Sequence, residues 1–188
     1  MDITDVIVLA SGGLDSSACL HFYQSAGFHV KALFVDYGQQ AAAEESHAIQ
    51  AITSHLKVPL VTIICSGLEP SHVGAIPGRN AFLLTCGLVH IGDASGIIAL
   101  GIHAGTHYAD CAPEFVQQMQ TVFDTYTGGR CLIGAPFLDW HKQMIWDYSR
   151  TNGLPVEQTY SCELGLLQPC GLCLSCKDIE VLYACETI

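Results

Sequence analysis

Residues 11–17 read SGGLDSS and follow the apolar run DVIVLA of residues 5–10. Gly12 and Gly13 let backbone N–H groups approach an anion and allow the φ values that a tight turn needs. Ser11, Ser16 and Ser17 add hydroxyl donors. Asp15 is the odd member, because a carboxylate beside phosphates is repulsive unless it helps to hold Mg2+ or caps a helix. The same residues also suit a tight turn with a helix cap and no ligand. Neither G-x-x-x-x-G-K-[ST] nor G-x-G-x-x-G occurs, which argues against Walker-type and dinucleotide loops.

A second chemical group lies towards the other end. Cys162, Cys170, Cys173 and Cys176 crowd into fifteen residues as C-x7-C-G-x-C-x-x-C. Gly171 allows the turn between closely spaced thiols, and Cys162 returns from the preceding loop as a fourth ligand. Four thiolates match a closed tetrahedral Zn2+ site, with a [4Fe–4S] cluster as the competitor. Cys19, Cys65, Cys86, Cys111, Cys131 and Cys185 sit among apolar neighbours and read as small hydrophobes.

The elements that must position these groups alternate. Apolar, β-branched runs at Asp5–Ala10, Phe28–Val35, Val58–Cys65, Ile97–Ile102 and Cys131–Ala135 read as strands. Helices are expected at Ser16–Gly27, Ala41–Leu56, Ala81–Ile91, Pro113–Tyr126 and His141–Asn152. This order predicts an α/β fold, a Rossmann-like parallel sheet covered on both faces. Ligands of such sheets bind beyond the carboxyl ends of the strands, which is where SGGLDSS falls. The segment from about 156 to 188 has a different character and reads as a small metal-held appendage to a single domain spanning 1–188.

Composition narrows the classes. Half of the 188 residues are hydrophobic, enough for a substantial core. No apolar run approaches the roughly 20 residues of a membrane-spanning helix. The acidic start MDITDVIV lacks the features of a secretory signal, so a cytoplasmic location is expected. The net charge of −11, with seven Lys plus Arg, argues against non-specific nucleic-acid binding. A small substrate is favoured, and individual cations such as Arg79 and Lys142 become candidates for neutralising phosphate charge.

SGGLDS at the end of a first strand resembles the pyrophosphate loop of the N-type ATP pyrophosphatases. Together with the cysteine pattern it is similar to the QueC family. FVDYGQ (34–39), IPGRN (76–80), DCAPEF (110–115) and TYSC (159–162) resemble further elements of that family. The resemblance implies a fold of the adenine nucleotide alpha hydrolase type, often dimeric, with a zinc-bound C-terminal segment. It implies ATP, Mg2+ and Zn2+ as cofactors. The substrate it implies is 7-carboxy-7-deazaguanine, whose carboxylate is adenylated, amidated with ammonia and dehydrated to the nitrile.

Residue roles follow from the same resemblance. Leu9, Ala10, Ser11, Gly12, Gly13, Leu14, Asp15, Ser16 and Ser17 would form the nucleotide cradle, with Asp15 acting through Mg2+. Asp15, Ser16, Arg79 and Lys142 would be catalytic. Tyr37, Gln39, Asn80, His103, Asp110 and Glu114 would line the substrate site, with Asp110 as a mere helix cap the alternative. His103 and His107, four apart, are too few for a metal site.

The departures from the family concern the substrate and ammonia sides. Gln40 and Ala41 replace a basic pair, His103 stands where Asn is typical, Ala112 replaces an Arg, and HKQMIW lacks an acid. Retained acid activation with a changed acceptor or product is therefore an alternative. Such an enzyme stops at the amide or joins the deazapurine acid to an amine on a protein or nucleic acid, as in an anti-phage system. A non-catalytic nucleotide-binding partner is the third reading.

Overall fold

A computed structural model describes residues 4–68, 76–106 and 108–185; His107 lies outside the described residues. Its elements run β1 (Asp5–Leu9), α1 (Leu14–Ser25), β2 (His29–Asp36), α2 (Ala42–Leu56), β3 (Leu60–Ile64), α3 (Arg79–Ile91), β4 (Gly96–Leu100), α4 (Pro113–Thr127), β5 (Cys131–Gly134), α5 (Lys142–Thr151) and α6 (Leu174–Cys185). Two short 3-10 turns, Ala109–Cys111 and Val156–Gln158, precede α4 and follow α5. No helix among the described residues is long and apolar enough to cross a membrane.

The five strands form one all-parallel sheet in the order β3-β2-β1-β4-β5. β1 is central, and its alternation feeds both faces, as a strand buried on two sides must. Val6 and Val8 point into a layer with Leu20 of α1, Ile49 and Ile52 of α2, Trp146 of α5 and Leu182 of α6. Ile7 and Leu9 face Leu84 of α3 and Phe123 of α4. The expected Rossmann-like sheet is thus present, with all five strands and the five anticipated helices.

The differences are local. α1 starts two residues earlier than Ser16, because Gly13 already serves as its N-cap with extended backbone. α3 starts at Arg79 rather than Ala81, which brings Arg79 and Asn80 into its first turn. The sequence reading gave the C-terminal segment no helix, yet α6 forms there and anchors Leu182, 3% exposed, in the core.

The chain runs outwards from β1 through β2 to β3, then crosses back through α3 to β4 on the other side. Connections leaving β1 and β4 therefore diverge, and a crevice opens between the carboxyl ends of these two strands. Three segments meet at it: the loop 10–13, the loop after β4, and the start of α5.

Candidate active site and metal centre

Gly12 turns the loop with φ +77°. It is pressed against α2 so closely that a Cβ would stand 2.5 Å from the Ile49 nitrogen. Ala10 continues the β1–β2 pairing through its N–H to Leu33 O at 3.0 Å. Leu9, Ala10 and Leu14 are buried, so only their backbone is available to a ligand. Gly13 accepts three hydrogen bonds on its carbonyl: from Ser17 N at 3.0 Å, Ser17 Oγ at 2.8 Å and Ser16 Oγ at 3.1 Å. Ser17 is fully buried and holds the turn with its hydroxyl, whereas Ser16 and Ser11 are half-buried at the surface of the loop. No side chain caps α1. Its first N–H groups and its dipole are therefore directed out of the helix end, as an anion site requires.

Asp15, in the first turn of α1, receives Lys142 Nζ on both oxygens, at 2.8 and 2.6 Å. This joins two residues 127 positions apart, α1 to the first residue of α5. Lys142 supplies the counter-charge that sequence reasoning had assigned to a bridging cation. His103 completes the group, with Nε2 3.9 Å from Asp15 Oδ2 and the side chain 12% exposed. Gly101 makes this closeness feasible: a Cβ there would lie 2.7 Å from the Asp15 carbonyl.

A second polar group sits at the carboxyl end of β2. Burial pushes the Tyr37 phenol up, while the charge of the Arg79 guanidinium pulls it down. Glu45, in the first turn of α2, is held by Gln39 Nε2 at 2.8 Å. Burial raises its pKa, opposed by the Gln39 hydrogen bond and the Arg79 charge. Gln39 also accepts from Tyr37 N at 2.9 Å and donates to Val35 O at 3.3 Å, so its side chain builds the turn. Asn80, 3% exposed, donates Nδ2 to Asp110 O at 3.0 Å, and its N–H donates to Asp110 Oδ2 at 3.3 Å. Asp110 thereby caps α3 from the neighbouring loop. Glu114 is exposed on α4.

The fold thus divides the candidates. Asp15, Ser16, His103 and Lys142 meet at the crevice, while Arg79 joins Tyr37, Glu45, Asn80 and Asp110 beside it. Glu45 was missed by sequence reasoning. Its signal was an acid placed among alanines, three residues into a helix that starts at the carboxyl end of a strand.

The four C-terminal cysteines converge. Their Sγ atoms all lie within 4.8 Å of one another, and Cys170 and Cys176 are 3.9 Å apart. Four sulfurs about 2.3 Å from one tetrahedral metal ion stand roughly 3.8 Å apart. Burial raises the Cys162 thiol, but backbone N–H groups of Cys170 and Leu164 outweigh it and bring the pKa to about 6. Cys170 is lowered by the N–H groups of Cys173 and Leu172. Cys176 goes the other way, to about 12, through burial and its neighbouring thiols. Such crowding of thiolates calls for a cation among them. The donor set fits a single tetrahedral ion.

The fold and site define an α/β protein with a nucleotide-type loop and a thiolate-rich appendage, and known proteins agree. In fold it is similar to a predicted subunit of tRNA methyltransferase from Methanocaldococcus jannaschii, with a TM-score of 0.53 and 14% identity over 84% of this chain and 92% of that one. It is also similar to the U34-tRNA thiolase NcsA of Methanococcus maripaludis, which carries a [4Fe-4S] cluster, with a TM-score of 0.52 and 12% identity over all of this chain and 67% of that one.

The model of the family "Queuosine biosynthesis protein QueC" matches residues 5–72 and 69–181. A 7-cyano-7-deazaguanine synthase of Synechococcus sp. (strain CC9311) is 32% identical over 94% of this chain and 91% of its own length. One from Chromohalobacter salexigens is 31% identical over the whole chain and 84% of its own length. This chain belongs to the QueC family.

Proposed function

We propose that the protein is an ATP-dependent C–N ligase acting on 7-carboxy-7-deazaguanine. The observation that carries this reading is the Asp15–Lys142 pair at the open N-terminus of α1, in the crevice between β1 and β4. The names of the similar synthases support the substrate.

A carboxylate is a poor electrophile, and transfer of AMP to its oxygen creates a good leaving group. The backbone N–H groups at Gly13 and the first turn of α1 hold the departing pyrophosphate, with Ser11 and Ser16 beside them. Lys142, fixed by Asp15, neutralises charge at the phosphates during transfer. ATP brings Mg2+ as its own counter-ion. Asn80, Asp110 and Arg79 form the neighbouring wall for the purine-like ring, with Tyr37 and Glu45 fixing the direction of the Arg79 guanidinium. Ammonia then displaces AMP to give the amide, and a second ATP-driven step removes its oxygen to give the nitrile.

Cys162, Cys170, Cys173 and Cys176 hold Zn2+ in a structural role. The sulfur spacing supports one ion over a [4Fe–4S] cube, in which each thiolate binds a different iron and the sulfurs spread farther apart. When bound, the ion cross-links the knuckle and takes no part in the chemistry.

The test incubates the protein with ATP, Mg2+, 7-carboxy-7-deazaguanine and ammonium, and follows AMP and product mass. AMP with the nitrile is the expected result. AMP with amide, or with a conjugate when a protein amine is supplied, would identify a shortened or redirected reaction. No AMP release with this acid overturns the proposal.

A further inference from the structure

His103 belongs to the loop after β4, and its backbone is held by a parallel bridge to Phe137 of the segment leading to α5. Its Nδ1 lies 2.6 Å from the carbonyl oxygen of Ala104. A carbonyl only accepts, so Nδ1 carries a proton, and in the tautomer with that proton alone Nε2 presents a lone pair. That lone pair faces Asp15 Oδ2 across 3.9 Å, beyond hydrogen-bond distance. Two acceptors thus stand 3.9 Å apart with no hydrogen bond between them. A nitrogen donor about 2.9 Å from each, the usual hydrogen-bond distance, can bridge that separation.

The surroundings add a bias. The ionisable group facing the imidazole is Asp15 of α1, which also carries Lys142 from the start of α5; His141 of the same segment lies beside Gly105 of the His103 loop. Lys142 Nζ is 2.6 Å from the same Oδ2. A second cation sharing this carboxylate meets the lysine charge and gives up a proton more readily, since a neighbouring like charge disfavours the charged form. Once protonated, the imidazole gains the Asp15 carboxylate as its counter-charge.

We infer that His103 Nε2 and Asp15 Oδ2 seat the ammonium ion and that His103 removes its proton. This inference rests on the proposed ligase function. Ammonium donates one N–H to each acceptor, and one proton passes to Nε2, leaving a lone pair on nitrogen. The lone pair attacks the acyl carbon of the adenylate, the C–N bond forms, and the C–O bond to AMP breaks with its electron pair staying on the phosphate oxygen. The cationic nitrogen loses its second proton to solvent, and the imidazolium returns the first one there. The products are amide, AMP and two protons.

His103→Leu tests this: it removes the base at Nε2, whereas Asn would only restore the residue typical of the family at this position. Adenylation is read by acid-dependent exchange of pyrophosphate into ATP, and amidation by amide formation from ammonium. H103L is expected to lower amidation at pH 7 about a hundred-fold more than it lowers exchange, within the usual range for a general base. Raising the pH, which supplies free ammonia, narrows the gap. Hydroxylamine, unprotonated at pH 7, closes it. Equal losses in both steps, or no loss in amidation, overturn the inference.

A wild-type protein without exchange defeats the proposed ligase instead. The seat is then decided by titrating ammonium against 15N-labelled histidine. A saturable His103 Nε2 shift that Asp15→Asn abolishes supports the seat, and no shift overturns it.

Discussion

The main-chain N–H of Tyr160 donates to the carbonyl of Gly12 at 3.0 Å. Through this bond the cysteine-bearing segment, two residues before Cys162, props the turn that opens the nucleotide cradle. The cysteine knuckle and the loop proposed to hold ATP are therefore joined directly, although they lie at opposite ends of the sequence.

Loss of a thiolate should be felt in the cradle. Cys173→Ser, or treatment with a strong chelator, is expected to lower Tm by on the order of 10 °C, as loss of a structural ion does. Amide hydrogen exchange at residues 10–13 should accelerate in parallel with metal loss. Unchanged protection there would mean that the knuckle does not support the turn.

Asp15 and Lys142 should behave as a unit. Asp15→Asn and Lys142→Met are each expected to reduce AMP release by roughly 10^2-fold or more, as for removal of a group that stabilises transition-state charge. The double variant should be hardly worse than either single one, which a double-mutant cycle on AMP release reads directly. Additive losses would separate their roles.

Gly12 is constrained both by its φ of +77° and by the Ile49 nitrogen. Gly12→Ala is expected to cost about 2 kcal/mol or more, combining backbone strain with overpacking. Denaturant unfolding measures it. A loss below ~0.5 kcal/mol would show that α2 withdraws without penalty.

Glu45 gives a pH dependence with a defined sign. Its folded pKa is raised, chiefly by burial. Between the unfolded and folded values the native state binds more protons, so stability falls as pH rises through that window. Glu45→Gln should therefore raise Tm at pH 7, and the gain should vanish as pH falls below the unfolded carboxylate range. A gain that persists at low pH would point to a cause other than charge burial.

These residues also mark what could be read without coordinates. The sheet was legible because its strands are near-continuous Val, Ile, Leu and Ala runs between helix signals. β1, DVIVL, is an example. α6 was not, since only Ile179 and Leu182 of its apolar residues reach the core while Leu174, Val181 and Tyr183 stay exposed. A stripe that narrow carries little periodic signal. In the site, the loop, Lys142 and His103 were legible as residue types at strand ends. Their partners were not: that Lys142 lies on Asp15, and that the Arg79 charge acts on Tyr37 and Glu45, is decided by crossings between α1 and α5 and between β2 and α3. Hydroxyls were misread most easily, because Ser17 looks free in the sequence and is fully buried against Gly13.

The docking of Tyr160 on Gly12 also has a consequence for synthesis on the ribosome. β1 precedes β4, its partner on the far side, by some ninety residues, and its following turn waits for residue 160. Pairing over such separations is slow, and a parallel sheet leaves its early strands open meanwhile. A nascent or truncated chain ending before the knuckle therefore lacks the support of its own cradle. A late segment thus acts as the latch that completes an early one.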